Sequence, residues 1–130
     1  MYSPLVVDHF KHPRNVGAVA EATARGRAAN PGCGDVVELS LRVEEGTIRE
    51  ARFRATGCVP TIACASRLTE LLLGITVSEA RGIGRDTLVE AVGGVPDASR
   101  HAAQLSVAAL RLALGTNGAS SPERRGREAR

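Results

Sequence analysis

The feature that most constrains this chain is a pair of alternating runs around a short glycine turn. Val37, Leu39, Leu41 and Val43 alternate with Glu38, Ser40 and Arg42; beyond Glu44–Gly46, Ala51, Phe53 and Ala55 alternate with Arg52, Arg54 and Thr56. Period-two alternation buries one face of a strand and wets the other, so the runs predict a β-hairpin with a single apolar face. A slip of one residue would turn a whole set of side chains to the wrong side, which makes the apolar pattern a test of register. A three-residue loop, Glu44–Gly46 with glycine in its left-handed place, sets Val43 opposite Thr47, Leu39 opposite Ala51 and Val37 opposite Phe53. A two-residue loop opposes the same positions with Glu50, Arg52 and Arg54, so the longer loop is preferred. Extending that ladder puts Cys33 opposite Gly57, with Cys58 one residue further along. Strand pairing thus carries two thiols, 25 residues apart in sequence, to one mouth.

Most of the remaining chain reads as helix. Ser3 as N-cap, Pro4 at the first helical position and Leu5, Val6 and Phe10 predict a short helix that Pro13 stops. Residues 22–30 are small and weakly patterned, and read as an edge strand. "TIACASRLTELLLG" after Pro60 predicts a helix ending at Gly74, "TVSEARGI" and "RDTLVEAV" two shorter ones, and "DASRHAAQLSVAALRLAL" the longest, with Leu105, Ala109 and Leu112 on its apolar stripe, Asp97 or Ser99 as cap and His101 in its first turn. Strands followed by a run of helices predict an α+β domain: a small three-stranded antiparallel sheet covered on one face by four to five helices, its other face partly exposed. The domain spans residues 1–115. Residues 116–130 are Gly, Ser, Pro, Arg and Glu-rich and read as a disordered basic tail.

Composition narrows the function classes. The chain's 130 residues suffice for one domain, and with no Trp, one Tyr and two Phe its core must rest on aliphatic side chains. The tail holds four arginines and two glutamates, two of the three net positive charges, and no clustered basic face with interleaved aromatics is visible, which argues against nucleic-acid binding. No apolar run reaches the ~18 residues of a membrane span, and no signal-peptide order opens the chain, so the expected location is the cytoplasm. There the odd set Cys33, Cys58 and Cys64 stays reduced, and thiolates for metal or sulfur chemistry are a better reading than disulfides.

"PGCGD" and "TGC" place glycine beside Cys33 and Cys58, which leaves each sulfur with little apolar cover and close to backbone N–H groups. Buried small cysteines are the bland alternative for both. Cys64 carries the opposite weighting, since its helical position falls near Leu68 and Leu71 on the packed side. His101, like His9 and His12, is worth little alone, and Asp35 could equally serve its own turn. Zinc and iron–sulfur sites take about four thiolate, imidazole or carboxylate ligands, and Cys33, Asp35, Cys58 and His101 form one such set, with Cys64 a further candidate. Spacing does not separate zinc from iron. No Ser–His–Asp order, P-loop or HExxH motif supports a hydrolase or nucleotide role.

Three long segments, "VVDHFKHPRNVG", "NPGCGDVVELSLRV" and "IREARFRATGCVPTIACASRLTELLLG", resemble in the same order the iron–sulfur cluster assembly scaffolds, IscU and the N-terminal domain of NifU. The resemblance covers residues 2–114. It implies a non-enzymatic scaffold that receives iron and sulfur, builds a transient [2Fe–2S] cluster and passes it to apo-proteins, with a cysteine desulfurase as sulfur source. It gives Cys33 and Cys58 as cluster ligands, Asp35 as the aspartate that tunes cluster lability, and His101 as the histidine preceding a third cysteine. Here that third position is Ala102, which can neither ligate nor accept persulfide. The segment "GVPDASRHAA" also departs from the family's chaperone-recognition segment, so dependence on the dedicated chaperone does not carry over. The preferred reading completes a two-cysteine site with His101 and Asp35. The alternatives are Cys64 replacing the thiol, a zinc-binding sulfur-transfer protein accepting persulfide, or a metal-free interaction module on the same fold.

Overall fold

A computed structural model describes residues 2–115; the expected tail at 116–130 lies outside the described residues. Strands β1 (Ala24–Asn30), β2 (Asp35–Glu44) and β3 (Thr47–Thr56) form an antiparallel sheet in the order β1-β2-β3. Helices α1 (Pro4–Lys11), α2 (Val59–Leu72), α3 (Val77–Ala80), α4 (Arg85–Ala91) and α5 (Arg100–Leu114) accompany it, with a 3₁₀ turn at Asp97–Ser99 leading into α5. Helix α5 packs on β1 and β2, and α2 packs on β3 and on α1, α4 and α5.

The hairpin register differs from the sequence expectation, and the reason is a bulge. The turn has two residues, Glu45 (φ 52°) and Gly46 (φ 77°), whose paired left-handed conformations match the twist of a tight hairpin. Val43 then pairs with Ile48 but Arg42 pairs with Glu50, so Arg49 is an extra residue on β3. That insertion restores the phase the two-residue loop alone would lose: Leu41 faces Ala51, Leu39 faces Phe53 and Val37 faces Ala55. It also lets Ile48 and Ala51, three apart, both be buried.

Pairing of β1 with β2 completes three apolar rows, Ala24–Leu41–Ala51, Gly26–Leu39–Phe53 and Ala28–Val37–Ala55. The β1 members are small because α5 passes directly over them. A Cβ placed at Gly26 would sit 2.0 Å from the carbonyl oxygen of Ala109 and 2.6 Å from the amide nitrogen of Ala113. On the outer face Arg25, Arg27 and Arg54 point to water, and Ser40 is covered where Val19 N donates to its Oγ at 2.9 Å.

Helix α5 buries Ala102, Ala103, Leu105, Ser106, Val107, Ala109, Leu110 and Leu114, an arc centred near Ser106 and Leu110. Leu112, expected on the apolar stripe, lies past the edge of that arc and is 53 % exposed. Its last carbonyls are held by Arg81, which donates to Leu114 O and Gly115 O at 3.1 Å each, while Arg111 donates to Arg81 O at 2.9 Å. Ser99 stands at its N-cap position without a side-chain bond, and Asp97 pairs with Arg100 instead.

The N-terminal segment is bound to α2. His9 is buried, with Nδ1 2.7 Å from Ser66 Oγ and Nε2 3.2 Å from Glu70 Oε1, and burial foremost pushes its pKa down. Asn15 Nδ2 donates to Thr69 Oγ1 at 3.0 Å, and Asn15 and Gly17 exchange backbone bonds with Phe53, covering the free edge of β3. Leu41, Ile48, Leu68, Leu72, Leu88 and Leu110 are the largest fully buried side chains, each contributing about 1.5–3 kcal/mol relative to exposure, and Phe53 is the one buried aromatic among the described residues.

Because backbone atoms and not flexible side chains occupy the space, Gly26→Ala cannot be absorbed by a rotamer change. It is expected to cost about 1–3 kcal/mol by overpacking, read from the urea midpoint.

Candidate metal centre

Chain reversal between β1 and β2 creates the first half of the site. Asn30 closes the ladder opposite Asp35, and its carbonyl accepts from Gly34 N at 2.7 Å and Cys33 N at 3.3 Å while its Oδ1 accepts from Gly32 N at 3.0 Å. Gly34, at φ 79°, takes the left-handed position that lets the loop close, and Cys33 stands exposed at its tip. The second half is the junction of β3 and α2, where Cys58 occupies the N-cap position and is also exposed.

Asp35 joins the halves. Continuing the observed register sets it, not Cys33, opposite Gly57, which corrects the expected pairing by the two residues that the turn and bulge account for. A Cβ at Gly57 would fall 2.6 Å from the Asp35 Cγ, so glycine here is the space in which the carboxylate sits. The carboxylate is only 6 % exposed. Thr61, fully buried on the first turn of α2, donates from Oγ1 to Asp35 Oδ2 at 2.6 Å. Cys58 Sγ lies 3.2 Å from Thr61 Oγ1 and donates to Asp35 Oδ2 at 3.6 Å. The Thr61 bond foremost holds the Asp35 carboxyl below the usual carboxylate range; burial opposes it, and Cys33, Cys58 and His101 reinforce it.

His101 arrives from the opposite side, on the first turn of α5. Its Nδ1 is 3.0 Å from the carbonyl oxygen of Ala98, which can only accept, so Nδ1 carries a proton, and the neutral tautomer this contact selects has its lone pair on Nε2. Donor atoms of Cys33, Asp35 and His101 all lie within 4.8 Å of one another. Cys58 stands outside that triad and touches it through Asp35. Cys64 does not join: it is fully buried in the core, and burial foremost, with the nearby Cys58, pushes its thiol up to about 12. Ala102 is likewise fully buried.

Thr61 was not among the residues singled out by sequence. A threonine after proline at a helix start reads as ordinary, and nothing local says that it faces a carboxylate 26 positions earlier. The arrangement combines soft sulfur, intermediate imidazole and a hard oxygen donor, a set suited to a borderline transition metal.

The NifU-like N-terminal domain family matches residues 1–120. The chain belongs to that family. Among relatives of this NifU-like domain, the iron–sulfur cluster assembly scaffold protein IscU 1 of Archaeoglobus fulgidus is 41% identical over 114 residues, covering 88% of this chain and 74% of that protein. The corresponding IscU scaffold of Aquifex aeolicus is 35% identical over 115 residues, covering 87% and 73%. A crystal structure from Fervidobacterium islandicum AW-1, of a protein assigned as an iron–sulfur cluster assembly scaffold for the SUF system, superposes with a TM-score of 0.72 over 88% of this chain and 96% of that one. At 20% identity it speaks to the fold. Among the described residues of the NifU-like domain, no helix is long and apolar enough to cross a membrane.

Two measurements check the geometry. A thiol reagent is expected to modify Cys33 and Cys58 in the native protein and to reach Cys64 only after denaturation, counted by mass; early labelling of Cys64 would contradict its burial. The lowered carboxyl pKa of Asp35 means that its contribution to stability is complete above about pH 4 and is lost as pH falls through the lower folded value. The stability difference between wild type and Asp35→Asn should therefore move against the wild type on acidification below about pH 4, followed by urea denaturation.

Proposed function

We propose that this NifU-like domain is a non-enzymatic scaffold that takes iron and sulfur as cargo, holds a transient [2Fe–2S] cluster and releases it to apo-proteins in the cytoplasm, with a cysteine desulfurase as sulfur donor. The observation that carries the reading is the convergence of Cys33, Asp35 and His101 within 4.8 Å, from a strand loop, a strand end and a helix start. Iron first occupies that triad, and Cys58, bonded to Asp35, supplies the second thiolate as the cluster is built. Thr61 acts through Asp35 and Cys58 as a positioning residue. Its hydroxyl has a single proton, so donating to one of these ligands withdraws that bond from the other. An oxygen donor among thiolates exchanges more readily than sulfur, which suits release to an acceptor.

Anaerobic reconstitution with iron and sulfide, followed by absorption and Mössbauer spectra, tests the proposal; a wild type that assembles no cluster counts against it. Zinc in the purified protein, with persulfide formed on Cys33 or Cys58 in the presence of a desulfurase, would favour sulfur transfer instead. Retained cellular function after joint substitution of Cys33 and Cys58 by Ala would favour the metal-free module. Thr61→Val is expected to weaken cobalt(II) binding by about 10–100-fold, the usual effect of losing a partner of a metal ligand, while Thr61→Ser keeps it within about threefold. Equal affinity in the two variants would remove Thr61 from the site.

A further inference from the structure

The face of the sheet turned away from α5 carries a groove of about 350 Å³. Its floor is strands β1 and β2, Arg54 of β3 stands beside it, and Gly17 and Ala18 of the N-terminal segment form a wall. The size falls within the range of about 300–1,000 Å³ typical of small-molecule sites. Strand register arranges the charges: Arg27, Glu38 and Arg54 form one row across the three strands, and Arg25 stands opposite Ser40 in the next row on the same face. Glu38 is taken by Arg27 at 3.5 Å. Arg52, the other neighbour of Ser40, is turned to Glu50 and to the Val16 carbonyl, each at 3.4 Å. Arg25 and Arg54 are left over. Of the arginines among the described residues, these two alone make neither an ion pair nor a hydrogen bond, and both line the groove.

Ser40 adds a third donor. It is 6 % exposed, its Oγ accepts from Val19 N at 2.9 Å, and its own proton finds no acceptor among the described residues. Three guanidiniums against one carboxylate leave two positive charges in excess along the groove. That excess matches a phosphomonoester, which carries about −1.5 to −2 at pH 7. A tetrahedral oxyanion also offers oxygens in three directions, whereas a carboxylate offers two in one plane, and the donors here come from β1, from β3 and from the floor between them. The groove exceeds a phosphoryl group in size, and Glu38 is its one carboxylate acceptor for hydroxyls. We propose that the groove binds a small phosphomonoester of a polyol, its phosphoryl oxygens held by Arg25, Arg54 and the Ser40 hydroxyl and its hydroxyl groups by Glu38. The site is independent of the metal reading: neither the triad nor Cys58 contributes to its lining.

The test titrates the full chain, without added metal, with sn-glycerol 3-phosphate and follows backbone amides by 15N NMR; inorganic phosphate, succinate and glycerol are the comparison probes. Glycerol 3-phosphate is expected to shift the amides of Gly17, Ala18 and Ser40 along one saturating curve, with half-saturation about tenfold below that of succinate, a dianion of two planar carboxylates, and below that of inorganic phosphate. Glycerol should shift nothing. Joint Arg25→Ala and Arg54→Ala substitution, at two exposed positions, should raise the half-saturation at least about tenfold with the urea midpoint unchanged. Joint Arg85→Ala and Arg100→Ala substitution, which removes the same charge elsewhere, should leave it within about twofold. Equal affinity for succinate overturns the phosphoryl assignment, and equal affinity for inorganic phosphate overturns the polyol. Binding that survives loss of Arg25 and Arg54, or that weakens as much on loss of Arg85 and Arg100, marks diffuse attraction to a basic surface and overturns the site, as does the lack of any saturating shift in the millimolar range. Each of these outcomes leaves the metal reading standing.

Discussion

Helix α5 lies so close to β1 that only hydrogen fits between Gly26 and the α5 backbone, and the rest of the structure depends on that approach. Ala24 and Ala28 flank the glycine on the same face, and Ala109 and Ala113 meet it from the helix. Two backbones in near contact leave no slack along or across the strand, so the depth and direction of the helix are determined together. Its first turn then overhangs the β1–β2 loop, and His101 comes within reach of Cys33 and Asp35. A bulkier strand would lift α5 and open the triad.

The second constraint is the one buried carboxylate among the described residues, that of Asp35. An isolated charge at 6 % exposure would be costly, and Asp35 is tolerated because Thr61 donates to it at short range and the cysteine thiols add further bonds. Gly57 supplies the room and the start of α2 supplies the donor. The thiols, in contrast, stand exposed on either side. A fixed oxygen donor thus stands between two accessible sulfurs, the carboxylate held by packing and the thiols open to solvent.

The three sequence segments that carry the family resemblance divide between these tasks. The first is structural: His9, Asn15 and Gly17 tie the N-terminus to α2 and seal the edge of β3. The other two hold the hairpin, the cysteine loop and the start of α2. Much of this was legible in advance. Ser3 and Pro4 marked the start of α1, alternation marked β2 and β3, and glycines beside Cys33 and Cys58 marked exposed thiols. The weakly patterned residues 22–30 read as an edge strand, and β1 lies there at the sheet edge; what the pattern did not tell is that its small residues mark a helix packed at backbone distance.

What the sequence by itself determined is local: period-two burial, caps, turns, and the confinement of Cys64 to an apolar helix face, each decided by atoms a few residues apart. The hairpin register escaped it because a two-residue turn plus one bulged residue, Arg49, satisfies the same apolar pattern as a longer loop, and pattern alone counts phase without counting insertions. Only the tertiary structure aimed Thr61 at Asp35 and carried His101 to the same place, because those contacts join Asp35 to groups 26 and 66 positions away and are made by packing α2 and α5 onto the sheet, not by any preference of the chain near them.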